Sequence, residues 1–126
     1  MNTSDLITLE YKDIFDNNIN KKIQFSSTLL NKSYNLASLF PLIVDGKSME
    51  PMIKDRAIIV SDLSQKVVIN NAIYIIYKDE KMWVKKACKN NDEIKFISIN
   101  KDFSHLIYEE KDVHVVARVL LTFTSF

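Results

Sequence analysis

The sequence predicts a mainly β domain with little helix. Apolar residues fall in short runs rich in Ile, Val, Tyr and Phe, and these runs are separated by Asn, Asp, Lys and Ser. This pattern of short apolar runs and polar breaks is typical of strands joined by turns. An amphipathic helix would instead need apolar residues three and four positions apart over a longer stretch. The chain has 126 residues, of which 47% are hydrophobic. That is enough for one compact domain with its own core.

The apolar runs place each element in order along the chain. They predict strands at residues 6–11, 39–45, 57–62, 72–77, 82–87, 93–99 and 113–124. Between the first two strands, residues 25–36 predict a short helix that contains Leu29 and Leu30, with Ser26 or Ser27 as its N-cap. Turn residues join the later strands at Asn70-Asn71, Asp79-Glu80 and Asn90-Asn91-Asp92. Asparagine replaces glycine in several of these turns because it tolerates the left-handed conformation.

Composition and charge exclude several classes of protein. Cys88 is the single cysteine, so no internal disulfide forms, and no Cys–His cluster offers the ligands of a structural zinc site. We expect no metal and no cofactor. The formal net charge is +1 with both signs interspersed, which predicts no direct DNA binding by this chain. The apolar stretches are too short to span a bilayer, and the first residues do not resemble a signal peptide, so we expect a cytoplasmic protein.

One segment concentrates the features of a reactive site. Residues 44–53 read Val-Asp-Gly-Lys-Ser-Met-Glu-Pro-Met-Ile, which predicts a strand running into a tight turn, followed by a short helical segment that starts at Pro51. Gly46, the one glycine of the chain, precedes Ser48 by two residues, where it lets backbone amides approach a ligand. A Gly-x-Ser turn by itself is more often an ordinary turn than a catalytic site.

The complete pattern resembles the LexA-like family, which comprises LexA repressors, UmuD-type mutagenesis proteins and phage repressors and is distantly related to bacterial signal peptidases. The family pattern Gly-x-Ser-Met-x-Pro is matched by residues 46–51, which are followed by Lys-Asp-Arg-Ala at 54–57 and by an apolar run. Residues 72–76 and 83–86 resemble the family's paired strands that end in Val-Lys-Lys, and residues 97–103 resemble its turn before the last strands. Several ordered motifs agree from Phe40 to the end of the sequence.

The resemblance implies a fold and a division of the chain. The fold is that of LexA and the signal peptidases, in which twisted antiparallel sheets form a partly open barrel. Residues 1–38 are then an N-terminal arm with the first strand and the short helix, and residues 39–126 are the Ser-Lys peptidase domain. Together they are expected to form one compact unit.

The resemblance also implies a catalytic dyad, with Ser48 as the nucleophile and Lys85 as its general base. Lys85 follows Ser48 by 37 residues, which is compatible with the family's spacing. A serine hydroxyl needs a base to take its proton, but free lysine has a pKa of about 10.4, so the site must lower that value. Burial does so by disfavouring the ammonium form. Met82, Trp83 and Val84 offer an apolar wall, and Lys86 is expected to point to the opposite face of the strand.

Further roles follow from the same resemblance. The oxyanion hole is expected to use the backbone amides of Lys47 and Ser48, while Gly46, Met49 and Pro51 shape the turn. The family further implies a homodimer through the C-terminal strand, a peptide segment as substrate in cis or in trans, and a recombinase-type co-protease filament or a polymerase as partner. The chain would act in a repressor or in a regulatory protein of the SOS and mutagenesis type.

Departures from the family pattern keep a second function open. Arg56 and Asn70-Asn71 stand at turn positions where the family usually has glycine, and Trp83 stands where LexA and UmuD have a threonine that hydrogen-bonds the lysine. The alternative is a catalytically slow or vestigial domain of a phage-type transcriptional repressor that serves dimerisation or partner binding. A signal peptidase is a poorer option, because no membrane anchor is present in this sequence.

Other reactive or aromatic residues are interpreted as structural. His105 and His114 lie far from the motif and have no acid and nucleophile beside them. Cys88 is expected to be a small buried or half-buried side chain. Tyr74, Tyr77 and Trp83 are expected to pack in the sheet rather than to stack on single-stranded nucleic acid.

The sequence lacks the bond that LexA-like proteins cleave. No Ala-Gly or Cys-Gly pair occurs, and the one glycine lies beside Ser48 on the strand that forms the site. The chain is therefore expected to be the product of an earlier cut, a fragment without its scissile region, or a protein that uses another bond around residues 20–38.

Overall fold

The computed structural model describes residues 5–30 and 34–126, and this part of the chain is mainly β. Its nine strands are β1 (Leu6–Asp13), β2 (Ile19–Ser26), β3 (Leu39–Ile43), β4 (Ile58–Asp62), β5 (Ile73–Lys78), β6 (Lys81–Asn90), β7 (Glu93–Ile97), β8 (Ile107–Glu109) and β9 (His114–Phe123). Helix in the described residues consists of short 3-10 turns, among them Ser27–Leu29, Leu36–Ser38, Lys101–Phe103 and Glu110–Asp112. The predicted mainly β fold of antiparallel sheets is confirmed, and the sheets are not closed into a barrel.

The strands form two antiparallel sheets. β1 and β2 make a separate hairpin, and the other strands form a sheet in the order β3-β4-β9-β5-β6-β7-β8. All seven predicted strands are present. The sequence analysis missed β2, whose apolar residues are interrupted by Lys21 and Lys22, and β8, which has three residues.

The short helix predicted within residues 25–36 is a single 3-10 turn, which contains Leu29 but not Leu30. Phe25 and Ser26 end β2, and a single 3-10 turn follows at Ser27–Leu29. The Ser26 side chain does cap that turn, because its oxygen accepts a hydrogen bond of 3.2 Å from the Thr28 N–H. Residues 31–33 lie outside the described residues.

Turn positions adopt the left-handed conformation without glycine. Asp79 and Glu80 both have positive φ in the two-residue turn between β5 and β6, as a type I′ hairpin requires. Asn71, Asn91 and Arg56 also have positive φ. Asparagine and arginine therefore hold backbone conformations at places where glycine is the more usual residue.

Apolar side chains cover both faces of the central strands. Ile75 of β5 packs with Met49 and Ile59 in one cluster, while its neighbours Tyr74 and Ile76 pack with Ala87 and Phe96 in another. Alternate residues of a strand point to opposite faces, so the middle of β5 and β6 lies between two apolar layers. A side chain in the middle of β6 is consequently withdrawn from water.

β9 is an internal strand rather than an open sheet edge. It pairs with β4 through residues 118–123 and with β5 through residues 114–118, so the two partners lie on opposite sides and overlap at Arg118. Leu120 has no partner in the register because a bulge lies between Val119 and Leu121. In the described part of the chain, each half of β9 therefore has a neighbouring strand along one side.

The β1–β2 hairpin packs on the large sheet. Ile7 and Phe25 form a buried cluster with Val60 of β4, and the ring of Phe25 lies 5.6 Å from that of Phe123. At the hairpin tip, the Arg56 guanidinium lies 4.3 Å from the centre of the Phe15 ring. Such a cation–π contact joins the arm to the loop that carries Ser48.

In residues 5–30 and 34–126, no helix is long and apolar enough to cross a membrane. The division of the chain at residue 38 stays a prediction.

Candidate active site

The loop between β3 and β4 carries Ser48 on a tight turn. Its ends are joined by hydrogen bonds of 2.8 Å from Val44 N–H to the Ala57 carbonyl and from Arg56 N–H to the Val44 carbonyl. The Glu50 N–H donates to the Lys47 carbonyl at 3.1 Å, so Ser48 and Met49 are the central residues of a β-turn. Met49 is buried in the core, which anchors the turn and leaves Ser48 at the surface of the site.

Pro51 continues this turn rather than starting a helix. The Glu50–Pro51 peptide is cis, and the residues that follow form turns up to Ile53. The Ile53 N–H donates to the Met49 carbonyl at 2.9 Å, and Ile53 is itself buried in the core. The prediction of a short helical segment beginning at Pro51 is therefore wrong.

Lys85 reaches the same place from the middle of β6. It lies opposite Tyr74 of β5 in the sheet register, and its relative exposure is 0%. Its Nζ lies 2.9 Å from the Ser48 Oγ, within hydrogen-bond distance. The fold thus brings together two residues that are 37 positions apart in sequence. Lys86 lies on the opposite face of β6 by strand alternation and is half-buried.

Burial changes the protonation of Lys85. It lowers the pKa of the Lys85 ammonium from 10.5 to about 8, because the charged form loses its hydration. Within the described residues, Lys85 forms no ion pair with a carboxylate that would oppose this shift. At a pKa of about 8, roughly one molecule in ten has a neutral amine at pH 7. A neutral amine is the form that can accept a proton from the serine hydroxyl.

Trp83 forms an apolar wall beside the Lys85 amine. The centre of its ring lies 5.8 Å from the Lys85 Nζ. The indole itself is held in place, because its Nε1 donates to the Lys78 carbonyl at 3.3 Å and its ring stacks on Tyr108 at 6.3 Å. Position 83 therefore places an aromatic ring beside the amine, where a threonine would have a hydroxyl.

Gly46 sets the backbone conformation two residues before Ser48. Its φ is +125°, a conformation that side-chain-bearing residues rarely adopt, while a Cβ built there would meet nothing within 4 Å. Glycine is thus needed for the backbone angle rather than for space. Among the described residues, the N–H groups of Lys47 and Ser48 donate to no protein acceptor, as an oxyanion hole requires.

Two residues that were not predicted from the sequence hold this loop. The Asp55 carboxylate accepts a hydrogen bond of 2.8 Å from the Gly46 N–H. Asn100 donates from its Nδ2 to the Lys47 carbonyl at 2.9 Å and from its backbone N–H to the Ser48 carbonyl at 2.9 Å. Both lie in segments quoted for the family resemblance, 54–57 and 97–103, but sequence alone does not reveal which backbone groups a polar side chain will reach.

A cleft of about 700 Å³ opens over Ser48 and Lys85. It is lined by Ile14, residues 42–49, Asp55, residues 81–85, Phe103 and Leu106. The lining is mostly apolar. Such a cleft suits an extended peptide whose carbonyl carbon is presented to Ser48.

The remaining candidate residues lie outside the cleft or do not act together. His105 and His114 are exposed and do not line it. The prediction that Cys88 is buried or half-buried is wrong, since it is exposed. Tyr74 is buried and Tyr77 is 44% exposed, so these rings and Trp83 do not form one stacking platform. Within residues 5–30 and 34–126, no three His, Cys, Asp or Glu side chains are grouped as metal ligands.

The lowered Lys85 pKa predicts a pH dependence of stability that can be measured without an activity assay. Between the folded value of about 8 and the ordinary 10.5, the unfolded chain binds more protons, so the free energy of unfolding rises with pH in this window. Lys85→Met removes that contribution and is expected to be more stable than the native chain at pH 7 by up to about 3 kcal/mol.

Urea unfolding of both proteins at several pH values checks this prediction. The difference between them should shrink as the pH rises from about 8 to 10.5. Lys86→Met is the matched control, because it removes a lysine from the same strand outside the cleft. A difference between the native chain and Lys85→Met that stays constant with pH would contradict the lowered pKa.

Comparison with known proteins identifies one family. The model of a protein family described as Peptidase S24-like matches residues 5–120 of the chain. The match includes both Ser48 and Lys85 and also the β1–β2 hairpin. A comparison with curated proteins finds no match.

Proposed function

Because the chain belongs to the peptidase S24-like family, the family of LexA-like and UmuD-like proteins, we propose that it is a serine endopeptidase with a Ser48–Lys85 dyad. The observation that carries this proposal is the 2.9 Å hydrogen bond between the Ser48 Oγ and the Nζ of a fully buried lysine. Among the described residues no carboxylate pairs with this lysine, so its burial costs free energy. The lowered pKa that results is what a general base at neutral pH requires.

The chemistry follows from the positions of these groups. The neutral Lys85 amine takes the Ser48 proton while the Oγ attacks the carbonyl carbon of a peptide in the cleft. The backbone N–H groups of Lys47 and Ser48 stabilise the negative oxygen of the tetrahedral intermediate. The Lys85 ammonium then protonates the leaving amine, which gives an acyl-enzyme on Ser48. Water attacks this ester with the neutral lysine again as base, and the free serine is restored.

The biological setting is proposed from the family. The chain acts in the cytoplasm as part of a repressor or of an SOS and mutagenesis-type regulator, and its substrate is a peptide segment in cis or in trans. A recombinase-type filament or a polymerase is the partner class that the family implies. A second candidate function is a slow or vestigial domain that serves dimerisation. It is favoured by Trp83, which offers no hydroxyl to orient the Lys85 amine.

Removal of either dyad member is expected to abolish the reactivity of the site. Ser48→Ala lacks the nucleophile and Lys85→Ala lacks the base, and groups that act as one unit lose activity together. A fluorophosphonate probe should label the native chain on Ser48, with a rate that rises through about pH 8. Intact mass and peptide mapping measure the adduct, and a mixture of unstructured peptides reports bond cleavage.

Lys86→Ala is the matched control for these two variants. It removes a neighbouring lysine on the other face of β6 and is expected to label and cleave as the native chain does. If Lys86→Ala loses activity as Lys85→Ala does, the assignment of the base is wrong. A native chain that stays unlabelled up to about pH 10 would support the vestigial function instead.

The chain itself is expected to stay at full length during hours at alkaline pH. It contains no Ala-Gly or Cys-Gly bond, and Gly46 belongs to the loop that holds Ser48, so the Asp45–Gly46 bond cannot enter the cleft as substrate. Mass spectrometry of the incubated protein measures this. Fragments that form with the native chain but not with Ser48→Ala would place a cleavage site elsewhere in the chain and overturn the expectation.

We also propose a homodimer that forms through β9. Val119, Leu120 and Leu121 are apolar and partly exposed, and this half of the strand has a partner on one side only. An unpaired strand side of this kind favours pairing with a second copy. Leu120→Asp is expected to shift the protein to a monomer or to lower its solubility, and sedimentation at high micromolar concentration measures both. A native chain that sediments as a monomer would contradict the proposal.

A further inference from the structure

Asn100 makes hydrogen bonds to two consecutive carbonyl groups of the turn that carries Ser48. Its Nδ2 donates to the Lys47 carbonyl at 2.9 Å. Its backbone N–H donates to the Ser48 carbonyl, also at 2.9 Å. Two neighbouring peptide units of the β-turn are therefore fixed by one residue, which lies 53 positions away in sequence from Lys47.

The orientation of the Asn100 side chain is determined by its own backbone neighbours. Its Oδ1 accepts a hydrogen bond of 3.0 Å from the Asp102 N–H and caps the 3-10 turn at Lys101–Phe103. A flipped amide would place an NH₂ group against the Asp102 N–H and an oxygen against the Lys47 carbonyl, and both contacts would be repulsive. The Nδ2 group must therefore face the turn.

The direction of the catalytic amide follows from this arrangement. In a trans peptide unit the C=O and the N–H point in opposite directions. Because the Lys47 carbonyl points at Asn100, the Ser48 N–H of the same peptide unit points away from Asn100. This N–H donates to no protein acceptor in the described part of the chain. It is thus held ready for an oxygen atom of the substrate.

We propose that Asn100 is a positioning residue for the peptidase reaction, which acts through the turn by fixing the Ser48 backbone amide and the Ser48 side chain relative to Lys85. The inference rests on the proposed function for its catalytic part. Asn100 does not touch the substrate. Loss of its side chain leaves the Lys47 carbonyl with the Glu50 N–H as its one donor among the described residues. The Lys47–Ser48 peptide unit is then held less firmly, and small displacements of this kind reduce rates by large factors.

Two variants separate positioning from folding. Asn100→Asp keeps the oxygen that caps Lys101–Phe103 but replaces the donor to Lys47 with an acceptor. Asn100→Ala removes both groups without adding charge. Asn70→Asp is the matched control, because the Asn70 Oδ1 accepts from the Lys89 N–H at 2.7 Å and the same amide-to-acid change there leaves the site untouched.

The experiment measures fluorophosphonate labelling of Ser48 as a function of pH, together with the ¹H–¹⁵N spectrum of the folded protein. Both Asn100 variants are expected to label about tenfold to a hundredfold more slowly. For Asn100→Ala the pH midpoint should stay that of the native chain, because Lys85 keeps its burial. The Ser48 amide signal should move in both Asn100 variants and stay in place in Asn70→Asp.

Several outcomes would overturn the proposal. Asn100 variants that label at the native rate, or that leave the Ser48 amide signal unchanged, contradict it. Loss of the dispersed spectrum in both variants would make Asn100 a folding residue instead. A native chain that does not label at all defeats the proposed function, and the amide signal of Ser48 in the two variants then decides by itself whether Asn100 orients the turn.

Discussion

A lysine amine that is withdrawn from water against a serine hydroxyl is the feature on which the rest of this site depends. The Nζ of Lys85 has the Ser48 Oγ at 2.9 Å and the Trp83 ring at 5.8 Å as its contacts. No carboxylate of the described residues pairs with it. The lowered pKa therefore comes from desolvation, and it requires that both faces of β6 stay covered. The core clusters around Ile75 and Phe96 provide that cover.

The turn that carries Ser48 is held by a different set of contacts. In the proposed reaction its backbone N–H groups bind the substrate and cannot also hold the turn together, so its stability has to come from its carbonyls and from the residues on either side. The carbonyls of Lys47 and Ser48 accept from Asn100, and the Gly46 N–H is held by Asp55. Met49 anchors the turn in the core. These tethers leave the N–H groups of Lys47 and Ser48 free of protein acceptors among the described residues.

The features that depend on a local pattern of residues could be predicted from the sequence. Short apolar runs predicted seven strands, and the Ser48 motif with a lysine at the family's spacing predicted which side chains would meet. The same reasoning failed where the outcome depends on neighbours in space. β2 has lysines among its apolar residues and is stabilised by pairing with β1. Cys88 is apolar by type but lies on the exposed part of β6. The role of β9 as an internal strand depends on its pairing with β4 and β5, which no local pattern encodes.

Trp83 acts on Lys85 in two opposite ways. A ring face near an ammonium stabilises the charged form by a cation–π interaction, whereas the bulk of the indole excludes the water that would hydrate the same charge. Burial lowers the pKa of Lys85 to about 8, and the Trp83 ring is one of the side chains beside the amine. Trp83 offers no hydroxyl with which the amine could form a hydrogen bond. The chain thus has an amine that loses its proton readily, and Ser48 is the hydrogen-bond partner that orients it. The direction of the Lys85 amine therefore depends on the position of Ser48. For this reason the hydrogen bonds that hold the Ser48 turn in place matter all the more.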